Sequence, residues 1–137
     1  MQPVTIVLVE DDVGHARLIE KNIRRAGVNN EITHFESGTA GLDYLLSNGN
    51  APILVLLDLN LPDMSGTQIL EKLKSNTSTK HIPIIVLTTT DDKAEIQKCY
   101  DLGCNVYITK PVDYEAFATA IRQLGLFLSV MKVPDPT

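Results

Sequence analysis

The sequence contains no tryptophan, and its twelve basic residues are outnumbered by seventeen acidic ones. The resulting net charge of −5 repels nucleic acid and anionic membrane surfaces, so neither is expected as a direct partner. No apolar run is long enough to cross a bilayer, and the amino terminus has neither a basic leader nor a cleavage-type segment. We therefore expect a cytoplasmic protein that binds neither nucleic acid nor membrane.

Residues that commonly bind zinc are also scarce. The two cysteines, Cys99 and Cys104, have no cysteine or histidine companions at zinc-ligand spacing, so we expect buried thiols instead. The three histidines, His15, His34 and His81, are dispersed along the chain. His15 follows the first acidic residues closely, but a solvated surface histidine is favoured over a functional one. The sequence thus predicts no zinc site.

The length of 137 residues fits one domain with one core. Short apolar runs rich in β-branched residues alternate five times with longer segments of helical period, which is typical of a parallel α/β sheet. The predicted strands are Val4–Val9, Glu31–Phe35, Ile53–Leu57, Ile82–Leu87 and Asn105–Thr109. The predicted helices are Val13 to Gly27, Gly38–Leu46, Gly66–Lys74, Asp92–Leu102 and Asp113–Met131.

The third and fourth predicted strands are apolar at nearly every position. Such strands are buried on both faces, which requires helices on both sides of the sheet. We therefore predict an α/β fold with a doubly wound, five-stranded parallel sheet and helices on both faces. This domain is expected to span residues 1–131, with a short tail at 132–137.

Polar residues follow four of the five predicted strands. In a parallel sheet these strand ends share one edge, and open α/β sheets bind their ligands there. Each residue alone has an ordinary explanation: Asp12 can cap a helix, and Lys110 can be solvated. The combination of carboxylates, a hydroxyl and an ammonium is harder to explain in this way. The four groups are Glu10-Asp11-Asp12, Asp58, Thr88-Thr89-Thr90 and Lys110-Pro111.

Clustered carboxylates repel one another and raise each other's pKa unless a hard divalent cation neutralises them. Magnesium is such a cation, and it often completes its coordination with phosphate oxygens. Lys110 and Thr88 could then hold the remaining phosphate oxygens, and Asp58 is a competent phosphoryl acceptor at the centre. The edge therefore predicts a magnesium (Mg2+) site at which Asp58 forms an aspartyl phosphate.

Several motifs, in order, resemble the receiver domain of two-component response regulators. The resemblance covers residues 4–131 and implies a flavodoxin-like fold. It also implies a phosphoacceptor signalling protein rather than an enzyme, one that assists its own phosphorylation and dephosphorylation. The motifs are Val9-Glu10-Asp11-Asp12, Leu57-Asp58-Leu59-Asn60-Leu61-Pro62 with Gly66, Leu87-Thr88, and Tyr107-Ile108-Thr109-Lys110-Pro111.

The resemblance further implies that Asp58 takes its phosphoryl group from the phosphohistidine of a sensor histidine kinase. The implied Mg2+ ligands are Glu10, Asp11, Asp58 and the backbone carbonyl of Asn60. Glu10 stands where many relatives carry aspartate, which affects only the details of metal ligation.

The same resemblance assigns roles to three residues near the acceptor. Lys110 would contact the phosphoryl group and face it rather than the carboxylates. Thr88 would move to hydrogen-bond this group, and Tyr107 would turn inward. These two movements would change the surface formed by the fourth and fifth helix–strand units.

Two other interpretations use similar features. A magnesium-dependent phosphatase of the dehalogenase type also uses a strand-end aspartate, but it needs a second aspartate two residues on, where this chain has Asn60. A flavodoxin-like flavin carrier needs a phosphate-binding loop rich in glycine and hydroxyl groups after the first strand, where this chain has three acidic residues.

The carboxyl-terminal stretch is apolar around most of its helical circumference, more than one sheet face requires. We expect the excess to form an exposed patch that mediates a symmetric homodimer. The alternative is a helix that bends at Gly125 and packs back onto the core. This stretch resembles single-domain regulators associated with bacterial phytochromes, which suggests such a kinase and an output through protein contact. The patch comprises Leu126, Phe127, Val130, Met131 and Val133.

Overall fold

The computed structural model describes residues 4–89, 91–110, 113, 115–120 and 123. Five strands alternate with helices, and residues 115–120 and 123 are helical as well. In chain order the elements are β1 (Thr5–Val9), α1 (Val13–Arg25), β2 (Ile32–Phe35), α2 (Gly38–Ser47), β3 (Ile53–Asp58), α3 (Gly66–Ser75), β4 (Ile84–Thr88), α4 (Lys93–Asp101) and β5 (Val106–Thr109).

All strand pairs are parallel, and the strand order is β2-β1-β3-β4-β5. The chain therefore reverses its direction of travel across the sheet between β1 and β3, where doubly wound folds bind ligands at the carboxyl ends. Val9 is the register partner of Leu57. Glu10 and Asp58 are the residues that follow this pair, so they lie side by side at the carboxyl ends of β1 and β3. The predicted doubly wound sheet is confirmed.

The core consists of one apolar cluster on each face of the sheet. Leu54 and Leu56 of β3 pack with buried residues of α1, whereas Val55 and Leu57 pack with residues of α2 and α3. This alternation is the two-residue period of a strand buried on both sides. Cys99 and Cys104 are free and buried, as expected.

Local residues explain where the elements begin and end. Asp12 caps α1 by accepting a hydrogen bond from the His15 amide, and Gly27, at φ 87°, provides the left-handed turn after that helix. β4 begins at Ile84 rather than at the predicted Ile82, because Pro83 has no N–H to donate to a strand ladder.

The predicted fifth helix is only partly covered by the described residues, of which 115–120 and 123 are helical. Phe117 and Ala120 of this segment belong to the same apolar cluster as α1. The predicted dimer patch at Leu126, Phe127, Val130, Met131 and Val133 lies outside the described residues.

Candidate functional site

Three carboxylates meet at the carboxyl edge of the sheet. Glu10, Asp11 and Asp58 each offer an oxygen, and these oxygens all lie within 4.8 Å of one another. Glu10 and Asp58 are buried, whereas Asp11 is exposed, so solvent reaches the cluster from one side. An all-oxygen donor set that is open on one side suits Mg2+, which retains several waters. The donors at this edge therefore fit the implied cation.

Lys110, directly after β5, joins two of these carboxylates. Its Nζ lies 2.5 Å from Glu10 Oε1 and 3.1 Å from Asp58 Oδ2. Burial alone would lower the pKa of Lys110, but the hydrogen bonds and charges of Glu10 and Asp58 outweigh it, so the pKa is raised. Lys110 therefore remains a cation. The expectation that Lys110 faces a phosphoryl group rather than the carboxylates is wrong about the carboxylates, because two buried anions within reach attract it; its contact with a phosphoryl group stays a prediction.

Glu10 is engaged through both of its carboxylate oxygens. Oε1 accepts from Lys110, and Oε2 accepts from the backbone amide of Asp12 at 3.1 Å. Burial raises the pKa of Glu10, although the Lys110 hydrogen bond opposes this shift. Asp12, the third successive acid, instead caps α1.

Hydrogen bonds hold both ends of the loop after β3, which comprises residues 59–65. At its start, the Asn60 amide donates to Asp58 Oδ1 at 3.0 Å, and at its end Ser65 caps α3 in a capping box with Gln68. Gly66 is required here because an added Cβ would lie 2.6 Å from Leu59 Cα and 2.7 Å from the Asp58 carbonyl oxygen. Asp58 is thus held by the backbone that follows it.

A carboxylate in the same loop binds the amino terminus of α2. Asp63 accepts from the Gly38 amide at 2.9 Å, the Thr39 amide at 2.7 Å and the Thr39 hydroxyl at 2.5 Å. The Thr39 hydroxyl, followed by the two amides, lowers the pKa of Asp63 to about 2. Sequence analysis missed this contact, which joins residues 25 positions apart.

Two histidines approach the site, although their spacing in the sequence indicated nothing. His34 Nε2 on β2 lies 2.7 Å from the Glu10 carbonyl oxygen, and the His34 side chain is half-buried. His15 is exposed, as expected, but its Nδ1 lies 3.4 Å from Lys110 Nζ. The signals in the sequence were the position of His15 just after the first acidic residues and that of His34 near the end of the second predicted strand.

The two residues predicted to switch lie on neighbouring strands. Thr88 is buried at the end of β4, and Tyr107 is half-buried on β5, opposite Val86. Burial raises the pKa of Tyr107 to about 12, partly opposed by a hydrogen bond with the Thr88 side chain. The hydroxyls of the two residues are therefore already coupled.

Buried carboxylates beside a lysine, at the switch point of a parallel sheet, define a phosphoryl-accepting α/β domain. The model of the response regulator receiver domain family matches residues 6–122, and the chain belongs to this family. Its members are phosphoacceptor signalling proteins, and histidine kinases are their partners. The dehalogenase-type phosphatase is not supported. Among the described residues, no helix is long and apolar enough to span a membrane.

The chain is similar to the response regulator Rcp1 of Synechocystis, with 34% identity over 79% of this chain and 77% of that one. Among solved structures, a response regulator receiver domain from Rhodospirillum rubrum is 64% identical over 96% of this chain and 97% of that chain, at a TM-score of 0.77. The bacteriophytochrome response regulator RtBRR is 34% identical over 98% and 86%, at a TM-score of 0.84. A Mn(2+)-bound form of Rcp1 is 30% identical over 97% and 100%, at a TM-score of 0.76.

Proposed function

We propose that Asp58 is the phosphoacceptor and that it takes its phosphoryl group from the phosphohistidine of a sensor histidine kinase. A carboxylate oxygen of Asp58 forms the new P–O bond while the P–N bond of the phosphohistidine breaks, and the imidazole, which carries a proton on its other ring nitrogen, leaves as a neutral ring. The observation that carries this proposal is the position of Asp58: buried at the end of β3, with Lys110 at 3.1 Å and two carboxylates beside it.

Glu10, Asp11, Asp58 and the backbone carbonyl of Asn60 would hold Mg2+, which supplies positive charge against the repulsion between carboxylates and phosphoryl group. The Mn(2+)-bound form of Rcp1, to which this chain is similar, supports a divalent cation as a ligand of this chain. Lys110 provides a second, permanent cation and has three donors, so it can contact a phosphoryl oxygen while it keeps a carboxylate contact.

Thr88 and Tyr107 would transmit phosphorylation to the surface. Their hydroxyls share one hydrogen bond, so a phosphoryl oxygen that attracts Thr88 withdraws it from Tyr107. Tyr107 would then change position on β5 and alter the surface near α4. Thr88→Ala should still be phosphorylated at Asp58, but amide exchange across residues 92–110 should no longer respond. An equal response in the wild type and in this variant would remove Thr88 from the switch.

The similarity to the bacteriophytochrome response regulator RtBRR supports a phytochrome-type kinase as the phosphodonor, which would act in the cytoplasm. Self-association through Leu126, Phe127, Val130 and Met131 stays a prediction from the sequence. Replacing Phe127 and Met131 with glutamate should yield a monomer that still accepts phosphate at Asp58. A wild type that light scattering shows to be monomeric at tens of micromolar, with and without phosphorylation, would overturn the dimer.

The acceptor is tested with acetyl phosphate, a small donor that needs no kinase. Intact-mass measurement should show one added phosphoryl group in the wild type with Mg2+, and none with excess chelator. Asp58→Asn should show none, whereas Asp43→Asn, which changes an exposed carboxylate on α2, should match the wild type. Labelling that persists in Asp58→Asn or in chelator would contradict the assignment.

A further inference from the structure

His34 contacts the acidic edge from a strand that supplies none of its charged residues. It lies on β2, where its register partner is Leu8 of β1. Its Nε2 is 2.7 Å from the carbonyl oxygen of Glu10. A carbonyl oxygen only accepts hydrogen bonds, so Nε2 must carry the hydrogen in this contact. The ring is therefore a donor to the backbone of a residue in the acidic cluster.

This contact extends the pairing of β1 with β2 beyond the end of the strand. The Glu10 amide donates to the Phe35 carbonyl at 3.0 Å, which continues the parallel ladder by one residue. The Glu10 carbonyl oxygen accepts from the His34 ring, so β2 holds both polar groups of the Glu10 backbone.

The orientation of the Glu10 carbonyl matters because it belongs to the peptide group between Glu10 and Asp11. A peptide group is planar, so fixing the direction of its carbonyl fixes the plane from which the next residue departs. Asp11 is exposed, whereas Glu10 is buried and bonded through both carboxylate oxygens. The peptide plane is therefore the restraint that relates Asp11 to Glu10.

We propose that His34 is a positioning residue for the cation site: by donating to the Glu10 carbonyl it holds Glu10 and Asp11 in the relative arrangement that binds Mg2+. This inference rests on the proposed function, because it assumes the same site. Groups that hydrogen-bond a metal ligand and fix its orientation raise metal affinity without touching the ion. His34 acts here through the backbone rather than through a ligand side chain.

Two substitutions separate the hydrogen bond from the ring. In His34→Gln, the amide nitrogen lies as many bonds from Cα as the histidine Nε2, so the donor is retained. His34→Phe keeps an aromatic ring of similar size but has no donor. His81→Phe is the control for the substitution itself. His81 is exposed and lies before the start of β4, at the amino ends of the strands and away from the acidic carboxyl edge.

Mg2+ affinity is measured by calorimetry, and labelling by acetyl phosphate is measured as a function of Mg2+ concentration. We expect His34→Phe to weaken Mg2+ binding about three- to tenfold, at or below the low end of the roughly 10–100-fold seen when a ligand's partner is removed. The Mg2+ concentration for half-maximal labelling should rise by the same factor, while the rate at saturating Mg2+ stays near that of the wild type. His34→Gln and His81→Phe should both match the wild type.

Equal Mg2+ affinity in His34→Phe and the wild type would overturn the inference, as would a His34→Gln variant as weak as His34→Phe. Wild-type protein that binds Mg2+ but is not labelled would contradict the phosphoacceptor proposal and leave the affinity comparison intact. If His34→Phe does not fold, ring-nitrogen NMR of the wild type decides. At mildly alkaline pH the neutral His34 ring should carry its hydrogen on Nε2, and a predominant Nδ1–H tautomer would contradict the contact.

Discussion

The loop after β1 and the loop after β3 both carry a carboxylate that caps a helix, but they do so over different distances in the chain. Asp12 caps α1, the helix that begins at the next residue. Asp63 binds the Gly38 and Thr39 amides at the start of α2, 25 and 24 positions earlier. The carboxylate of the first loop binds the helix that directly follows it, whereas the carboxylate of the second loop connects two separate β–α units. We therefore expect the loop after β3 to tolerate much less change.

The largest expected effect comes from Gly66→Ala in the second loop. The added Cβ would lie 2.6 Å from Leu59 Cα and 2.7 Å from the Asp58 carbonyl oxygen, both backbone atoms that cannot rotate away. Such overpacking should lower the free energy of unfolding by about 3 kcal/mol or more. Urea unfolding measures this loss, and labelling of Asp58 should fall with it. A loss below about 1 kcal/mol would show that the second loop is adjustable after all.

The next largest effect concerns Lys110, which joins the two loops through Glu10 and Asp58. Lys110→Met keeps the aliphatic chain but leaves two buried carboxylates unpaired. We expect a loss of about 1–3 kcal/mol in the free energy of unfolding, less than for a fully enclosed pair because solvent reaches the cluster beside Asp11. Thermal unfolding with and without Mg2+ tests the cause: the cation should stabilise the variant more than the wild type. Equal stabilisation would mean that the carboxylates do not repel one another.

The separation of contacting residues along the sequence also explains how much of the fold and of the site could be predicted. The strands, and the placement of Glu10, Asp11, Asp58 and Lys110 at one edge, follow from local apolar runs and from the shared direction of parallel strands. The contacts of Asp63 and His34 do not, because they join residues 25 and 24 positions apart through individual side chains. The Lys110 contact with Glu10 spans 100 positions. Sequence patterns predict which residues share an edge, and side-chain reach decides which of them touch.

Asparagine substitutions at the two capping carboxylates should give different results. Asparagine caps a helix about as well as aspartate, so Asp12→Asn should leave the melting temperature nearly unchanged. Asp63 accepts three hydrogen bonds through two oxygens, and Asp63→Asn replaces one oxygen with an amide that faces donors. The melting temperature of Asp63→Asn should therefore be clearly lower. Similar values for the two variants would remove the distinction between the loops.

The pH dependence of the Asp63 effect has a definite sign. The pKa of Asp63 is lowered from 3.8 to about 2 in the folded state, so the folded protein favours the ionised form. The stabilisation is then fully present above about pH 5 and is lost as the pH falls through about 4 toward 2. The difference in melting temperature between the wild type and Asp63→Asn should shrink over this range. A difference in melting temperature that does not change with pH would mean that the effect of the substitution does not depend on the ionisation of Asp63.

The smallest expected effect is at Gly14, the second residue of α1, and it has the opposite sign. A Cβ at Gly14 would meet only Asp12 Oδ1, at 3.2 Å, and Asp12 is an exposed side chain that can shift by the few tenths of an ångström required. Alanine also suits a helix better than glycine, by about 0.5–1 kcal/mol. Gly14→Ala should therefore raise the free energy of unfolding by about 0.5 kcal/mol and the melting temperature by roughly 2 °C. Scanning calorimetry should compare this variant with Gly66→Ala, because both variants make the same substitution in the first turn of a helix. Destabilisation by Gly14→Ala would mean that Asp12 cannot shift, and that the loop after β1 is held as tightly as the loop after β3.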